Sequence, residues 1–250
     1  MLSKKYYELL IDSIPDGTGL SVARVVRGAA WTAAVLSDGS CGVGMRTPGE
    51  SVPRRFETLV GLPLRRAAEA LLSWNLEEAG EGLAAINAWY NRAERIDELG
   101  AFYTDSALAG LELAGKTVGF VGHLVRHGGS ITPELLAPAK NWFILERDPR
   151  PGDYPDSACE YLLPACDIVV VTGSAAINKT LPRILELSQN AEIALTGPSV
   201  SLCPALFALP GLRRLNGSVI TERDAMLEAI VPERRSMSAF CRHYTLEGPC

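Results

Sequence analysis

The residues that could perform chemistry in this chain are concentrated directly after short apolar runs in its second half. Two such runs are Ile168–Val171 and Ile193–Thr196, and each ends in a turn that contains glycine and hydroxyl groups. Ligands of open α/β sheets bind at the carboxyl ends of the strands. We therefore predict that a small ligand contacts the polar residues at these junctions, namely Thr172, Gly173, Asn178, Thr180, Gly197 and Ser199.

One imidazole lies at a junction of the same kind. His123 follows the apolar run Thr117–Val121 and the turn residue Gly122, so both residues are predicted to contact the ligand. A neutral imidazole can act as a base or a metal ligand near pH 7. His127 lies four residues further on, and a helix would place both side chains on one face. Because glycines bracket the pair, a helix is disfavoured, and we expect His127 at the surface.

A nucleotide is the alternative ligand at these junctions. The motif G-x-G-x-x-G of dinucleotide-binding sheets is absent, because the glycines fall at positions 119, 122, 128 and 129. Glu146, however, lies 24 residues after Gly122 at the end of the run Trp142–Leu145. Acids near this place bind ribose hydroxyls in Rossmann domains. A solvated acid beside Arg147 is the other interpretation, and the incomplete motif is a weak signal by itself.

Several of the polar candidates also have a purely structural interpretation. Asn178 supplies a donor and an acceptor, but it could bond only within its own loop. Thr180 is placed to cap the next helix, Leu181 to Ser188. Asn87 and Asn91 lie four residues apart on an alanine-rich helix, where they are either ligand contacts facing the core or solvent-exposed residues.

The cysteines indicate a reduced protein without a disulfide framework. Six are present at irregular spacing, and none forms a CxxC pair. The irregular spacing of these cysteines predicts buried, reduced thiols in a cytoplasmic protein. The segment Cys241-Arg-His243 with Cys250 contains soft metal ligands. Its spacing matches no closed zinc motif, and we expect a mobile C-terminus there.

The elements that must position these residues differ between the two halves. The first half predicts a short helix at Tyr6–Ile14 and an antiparallel meander of three short strands, followed by two helices. These elements cover Val22–Arg27, Trp31–Leu36, Gly42–Met45, Leu64–Trp74 and Leu76–Tyr90. The segment Asp97–Gly115 then connects the two halves.

The second half alternates strands with helical segments, which predicts one parallel sheet. The predicted strands are Thr117–Val121, Trp142–Leu145, Ile168–Val171 and Ile193–Thr196, with a fifth at Ser218–Ile220 and a helix at Glu222–Ile230. Strand order stays open. A 2-1-3 order places Gly122 beside Thr172, whereas a 3-2-1-4 order places it beside Gly197.

Composition limits the classes of partner. The formal net charge is −5 with mixed signs along the chain, and no basic stripe suggests nucleic acid. The first ten residues lack the apolar region of a signal peptide, and no apolar run is long enough for a membrane span. We therefore expect neither a nucleic acid nor a membrane as partner.

Eight segments together resemble the heavy-metal chelation family, and the likeness covers nearly the whole chain. They are Asn75-Leu-Glu-Glu-Ala, Ala84-Ala-Ile-Asn87-Ala, Pro155-Asp-Ser, Leu163-Pro-Ala-Cys-Asp167, Thr172-Gly, Asn178-Lys-Thr180, Gly197-Pro-Ser199 and Leu215-Asn-Gly217. The resemblance implies an α/β protein with an α+β enolase N-terminal-like domain over residues 1–105. A Rossmann-like parallel-sheet domain over residues 106–250 follows, and the active site is expected in the cleft between the two.

The function implied by the resemblance is the binding of a metal or a metal complex. The partner would be a small molecule or such a complex, a homo-oligomer is compatible with it, and a transition metal is the candidate cofactor. His123 is the candidate metal ligand, and Asn87 is expected to reach the cleft from the first domain. The alternative is an enzyme, a transferase or an oxidoreductase, that uses a nucleotide-like ligand.

Overall fold

The first hundred residues build a small antiparallel sheet covered by helices. In the computed structural model, which describes residues 2–47, 52–104, 106–231 and 237–249, the chain begins with a helix and three strands. These are α1 (Leu2–Asp12), β1 (Val22–Arg27), β2 (Trp31–Leu36) and β3 (Cys41–Met45). The three strands pair in sequence order and antiparallel, so the predicted meander is confirmed.

Three helices and a short strand lead into the second half. They are α2 (Leu64–Ala68), α3 (Leu76–Tyr90), α4 (Ala93–Leu99) and β4 (Phe102–Tyr103). Helix α3 begins after Asn75, whose side chain accepts a hydrogen bond from the N–H of Glu78. This N-cap satisfies one of the unpaired amides of the first turn. The bounds of α3 are those predicted from its apolar spacing.

In the second half, the described residues form seven strands and four α-helices. In chain order they are β5 (Thr117–Val121), β6 (Asn141–Glu146), β7 (Tyr154–Pro155), α5 (Cys159–Leu162), β8 (Ile168–Thr172), α6 (Ser174–Ile177), α7 (Leu181–Leu187), β9 (Glu192–Thr196), β10 (Leu212–Ile220), α8 (Arg223–Ala229) and β11 (Cys241–Glu247). Together with β4 these strands form one sheet in the order β4-β11-β10-β9-β8-β5-β6-β7.

The centre of this sheet is parallel, as predicted. Strand β5 pairs in parallel with β6 on one side and β8 on the other, and β8 continues in parallel to β9 and β10. Strand β6 therefore lies on one side of β5, and the next central strand, β8, lies on the other side. This is the 2-1-3 order, with its topological switch point between β5 and β8.

The two faces of the large sheet pack against two different hydrophobic cores. Val169 and Val171 face a core that includes α1, α3 and α7, whereas Ile168 and Val170 face a smaller core built from the segments around residues 107–136. This alternation follows from the two-residue period of a strand. The larger core is continuous from the first half to the second, so the small sheet is held against one side of the large sheet.

Two expectations about the C-terminal segment were wrong. Cys241–Glu247 is not mobile; it forms β11, which pairs antiparallel with β10 and with β4. Backbone pairing on both sides satisfies the amide groups that a loose terminus would expose to water. The fifth strand is also longer than predicted, because β10 pairs with β9 over its first half. Cys250 lies outside the described residues.

The helices in the described ranges are too short or too polar to span a lipid bilayer.

Candidate functional site at the carboxyl ends of the parallel strands

Two adjoining cavities open at the carboxyl ends of the central strands. The larger, of about 830 Å³, is called the Asn178 cavity and is lined by Asn178, Thr180, Arg147, Ser157, Arg183 and others. The smaller, of about 480 Å³, is called the His123 cavity and is lined by His123, Trp31, Gly197, Asn216, His243 and others. Both volumes fall in the range of small-molecule sites, about 300 to 1,000 Å³.

The switch point lies where the two cavities meet. Five residues line both of them: Met45, Gly122, Glu146, Thr172 and Ser174. Met45 comes from the small antiparallel sheet, and the other four come from the tips of β5, β6 and β8. Gly122 has φ +105, a conformation that favours glycine, and it lies directly beside Thr172. The 2-1-3 alternative is therefore the one that the structure adopts.

His123 is held by two carboxylates. Its backbone N–H donates to Oε2 of Glu146 at 2.9 Å, and its Nδ1 lies 3.1 Å from Oδ2 of Asp153. Asp153 also accepts a hydrogen bond from the N–H of Arg150, and its side chain is only 6% exposed. Because an ionised carboxylate can only accept, the proton belongs on Nδ1 and the lone pair on Nε2.

Glu146 has an anchoring role as well as a place in both cavities. Its second oxygen, Oε1, accepts the N–H of Arg147 at 2.7 Å, so both oxygens hold backbone amides of the strand tips. Carboxylate oxygens can each accept further bonds.

The stretch between β5 and β6, all of it described, contains only the 3₁₀ turn Pro133–Leu136. No α-helix therefore begins at the glycine turn to hold a phosphate, in contrast to dinucleotide-binding sheets.

The polar run after β8 folds back on itself while still lining the Asn178 cavity. Oδ1 of Asn178 accepts bonds from the backbone N–H of Thr180 at 3.1 Å and from its hydroxyl at 2.7 Å. Thr180 stands before α7 but makes no side-chain cap bond, so the predicted cap is wrong. The hydroxyls of Thr172 and Ser174 lie 3.1 Å apart.

Three predicted contact residues line neither cavity, because close packing or internal hydrogen bonds occupy them. Asn87, which is 1% exposed, donates to the carbonyl of Val43 at 2.8 Å and accepts from Ser201. Ser199 accepts the N–H of Met45 at 2.9 Å. A Cβ atom on Gly173 would lie 2.7 Å from the carbonyl carbon of Ser199, so close packing explains this glycine.

For the two remaining polar candidates, Asn91 and His127, the structure gives different outcomes. Asn91 is buried and bonds to Val200 and Leu202, so the alternative of two exposed asparagines on α3 is wrong. His127 is exposed at the surface, as expected, and its Nδ1 lies 3.4 Å from Glu134. It is therefore not a partner of His123.

Most cations of the Asn178 cavity are already paired. Arg46 bonds Glu77, and Arg183 bonds Glu160 and Glu186. Arg147 forms a longer ion pair, with its Nε 3.7 Å from Oδ2 of Asp156, beyond hydrogen-bond distance. Acidic residues at the same cavity, Glu146, Asp148, Asp156 and Glu160, balance these positive charges.

Lys179 is a partly buried cation at this edge. Its ammonium donates to the carbonyl of Leu71 and lies 5.2 Å from the centre of the Tyr7 ring. Burial lowers the pKa of Lys179 from 10.5 to about 8. Its φ of +70 is also the one left-handed value of a non-glycine residue in the described ranges. Such backbone strain is tolerated when the surroundings hold the residue firmly.

A metal cage made of protein ligands alone does not fit the described residues. Among them, no three His, Cys, Asp or Glu side chains come close enough to hold one ion. Burial raises the pKa of Cys159 and of Cys166 to about 11, and that of Cys41 to about 12. These thiols are protonated at neutral pH, whereas metal ligation needs the thiolate.

Sequence reasoning did not place Asp153 or His243 near the His123 cavity. Asp153 follows Gly152 in the turn after β6, and only the pairing of β6 with β5 brings it to His123. His243 lies opposite Ser218 in the β10–β11 pair, with Nδ1 2.9 Å from the serine oxygen. The polar and apolar alternation of residues 241–247 was the available signal for that strand.

The fold and the cavities define the class of protein: an open α/β protein with a cleft at its topological switch point. The chain belongs to the DUF364 family, whose sequence model carries the description "Putative heavy-metal chelation" and matches residues 107–245. A second model with the same description, DUF4213, matches residues 7–90. The family resemblance and the α/β fold class predicted from the sequence are thereby confirmed.

Solved structures of relatives cover the whole chain. A DUF364 protein of unknown function from Desulfitobacterium hafniense DCB-2 is 34% identical, with 98% of each chain covered and a TM-score of 0.83. A DUF364 protein from Pyrococcus horikoshii, 22% identical with a TM-score of 0.77 over 99% of this chain and 100% of that one, shows the same fold. An uncharacterized protein of Methanocaldococcus jannaschii is 26% identical over 183 residues, which are 70% of this chain and 68% of the relative.

Proposed function

We propose that this protein binds a small metal complex in the cleft at the switch point, and that His123 supplies one ligand to the metal. The cleft would lie between two domains, residues 1–105 and 106–250. Residues from both parts of the chain line the cavities, among them Trp31 and Met45 from the small sheet and Glu146 and Thr172 from the large one.

The observation that carries the proposal is the pair of His123 and Asp153. A carboxylate that accepts from Nδ1 fixes the tautomer of the imidazole and leaves the Nε2 lone pair for a metal. Nδ1 of His123 and Oδ2 of Asp153 lie 3.1 Å apart, and the Asp153 side chain is almost completely buried. His123 itself lines the cavity. This arrangement supports the role of His123 as a metal ligand, with Asp153 as its supporting carboxylate.

The remaining coordination positions would belong to the bound molecule. Among the described residues, no three His, Cys, Asp or Glu side chains are arranged to hold one ion. A bare ion would therefore bind weakly, because a closed site takes about four close ligands. A metal that arrives with a chelator needs one protein ligand only. The family description "Putative heavy-metal chelation" agrees with a metal as part of the cargo.

A nucleotide-like ligand used by an enzyme is the second candidate. The position of Glu146 favours it, because this acid lies at the carboxyl end of the strand next to the glycine turn and lines both cavities. In Rossmann domains such an acid binds ribose hydroxyls. The missing helix after β5 weighs against a bound pyrophosphate.

Calorimetric titration distinguishes the two candidates. The probes are Zn²⁺ alone, the preformed Zn²⁺–citrate complex and NAD, each titrated into the parent protein and the His123→Ala variant. His127→Ala is the matched control, because this histidine is exposed and lies outside both cavities. We expect the zinc complex to bind more tightly than the bare ion, and His123→Ala alone to weaken it.

Two results would contradict the metal proposal. One is zinc-complex binding that is equal in the parent protein and His123→Ala. The other is tight NAD binding by a protein that binds no zinc species, which would establish the second candidate instead.

A further inference from the structure

We infer that the ligand is a two-part molecule whose second part carries a carbonyl or carboxylate oxygen, and that Asn178 recognises this oxygen. The inference rests on the proposed function, since it describes the part of the ligand that lies away from His123. It assigns Asn178 a defined role as a hydrogen-bond donor and names the chemical class of the ligand as an oxygen-bearing metal chelate.

The orientation of the Asn178 amide follows from its neighbours. The backbone N–H of Thr180 can only donate, and it lies 3.1 Å from Oδ1 of Asn178. The Thr180 hydroxyl donates to the same oxygen at 2.7 Å. The amide oxygen is thus fixed toward Thr180, and the Nδ2 group must point away from it. If the amide exchanged these two roles, the bond from the Thr180 backbone N–H would be lost, because that N–H can only donate.

The Nδ2 group of Asn178 therefore offers two N–H donors at the cavity that the residue lines. Within the described part of the chain, no acceptor lies within hydrogen-bond distance of this nitrogen, and the residue is half-buried. Other donors stand at the same cavity. Thr172 and Ser174 share one hydrogen bond between two hydroxyls, so one hydroxyl proton remains for another acceptor.

The charged residues that line the Asn178 cavity favour a ligand with an oxygen acceptor but do not require a strongly anionic ligand. Three of the four lining cations are committed: Arg46 and Arg183 to carboxylates, and Lys179 to a backbone carbonyl. Arg147 lacks a carboxylate within hydrogen-bond distance. The four acids at the same walls balance the cations, so the cavity offers no net positive charge to a polyanion such as a triphosphate, whereas a single carbonyl or carboxylate oxygen meets donors.

The two cavities adjoin at the switch point, so a two-part ligand can occupy both of them. Gly122, Glu146 and Thr172 line both cavities and separate the region of His123 from that of Asn178 by no more than their own width. Gly122 packs closely against Thr172 there, because a Cβ atom on Gly122 would lie 2.8 Å from Thr172 Cγ2. A ligand with its metal at His123 can thus place an oxygen at Asn178.

The test compares two preformed zinc complexes in calorimetric titrations. Zn²⁺–citrate carries carboxylate oxygens beyond the metal, and Zn²⁺–bipyridine carries none. The variant is Asn178→Asp, which keeps the acceptor oxygen for Thr180 and replaces only the NH₂ donors by an anionic oxygen. Asn190→Asp, at an exposed position, controls for the added charge.

We expect Asn178→Asp to weaken Zn²⁺–citrate binding by about tenfold or more, which corresponds to the loss of one hydrogen bond to a charged group. Binding of Zn²⁺–bipyridine should stay within twofold in the same variant. His123→Ala should weaken both complexes. Equal Zn²⁺–citrate affinity in the parent protein and Asn178→Asp would overturn the inference.

The failure of the inference can be told from the failure of the proposed function. A parent protein that binds Zn²⁺–bipyridine through His123 but not Zn²⁺–citrate contradicts the inference and leaves the metal proposal standing. A parent protein that binds neither complex contradicts both.

Discussion

Gly122 and Thr172 touch across the switch point of the large sheet. Gly122 follows β5, Thr172 is the last residue of the neighbouring parallel strand β8, and a Cβ atom built on Gly122 would lie 2.8 Å from Cγ2 of Thr172. The glycine also has φ +105. Both facts have the same consequence: position 122 requires glycine, and a side chain there would press on Thr172 where the two cavities adjoin.

Gly122→Ala should therefore destabilise the protein and reduce ligand binding. We expect a loss of about 1–3 kcal/mol in the free energy of unfolding, from left-handed strain and overpacking together. Urea denaturation measures it. Gly17→Ala is the matched control, since a Cβ there meets nothing within 4 Å. In Gly122→Ala/Thr172→Ser the clashing methyl group is gone, so part of the loss should return. A double variant no better than Gly122→Ala would show that the contact is not the cause.

Asp153→Ala should weaken binding of Zn²⁺–citrate while leaving the bound metal on His123. Removal of a supporting carboxylate costs about 10–100-fold in metal affinity, because the imidazole loses its fixed tautomer and orientation. Titration calorimetry gives the affinity. Glu134→Ala is the control, because it removes the carboxylate of the exposed pair with His127. An unchanged affinity in Asp153→Ala would mean that the pair of His123 and Asp153 has only a structural role.

Lys179 should make the stability of the protein depend on pH above neutrality. Burial lowers its pKa from 10.5 to about 8, so between these values the unfolded chain binds more protons than the folded one. Stability then rises with pH across this window, by at most about 1.4 kcal/mol per pH unit. Relative to Lys179→Met, the parent protein should gain stability from pH 8 to pH 10.

Urea denaturation at several pH values tests this dependence. The difference between the parent protein and Lys179→Met should change steadily over the window, whereas the difference from Lys140→Met, an exposed control, should stay constant. A constant difference for Lys179→Met as well would mean that the ammonium is well solvated.

Asn87→Ala should reduce stability without a direct effect on ligand binding. The side chain is buried and joins the carbonyl of Val43 to the hydroxyl of Ser201, and truncation leaves both without this partner. We expect a loss of about 2–3 kcal/mol. Thermal denaturation measures the loss, and titration of Zn²⁺–citrate well below the midpoint measures the affinity. A large loss of affinity in a fully folded variant would place Asn87 in the site after all.

The fold was predictable from the sequence because its elements carry strong local signals. The apolar β-branched run Ile168–Val171 and the apolar spacing within Leu76–Tyr90 gave elements close to those observed. The order of the strands was not predictable, since β5 pairs with β6 and β8 through contacts distant in sequence. Strand β11 was missed because its pairing with β10 outweighs the usual mobility of a chain terminus.

The site was predictable only in part, because residue type does not show which polar groups are already bonded. Gly122, His123 and Thr172 line the cavities, as strand-tip residues should. Asn87 and Ser199 have equally suitable chemistry, but each is used to join the small sheet to the segment around residues 198–201. Asp153 could not be assigned, because its partner lies thirty positions earlier.

A crystal structure of the protein with Zn²⁺–citrate, measured at the zinc absorption edge, tests the metal-binding role of His123 most directly. The anomalous signal locates the metal without reference to any variant. We predict a zinc peak about 2.0–2.1 Å from Nε2 of His123, with Nδ1 still bonded to Asp153 and a citrate oxygen near Nδ2 of Asn178. A bound zinc that is coordinated elsewhere, with the His123 imidazole unligated, would contradict the proposal.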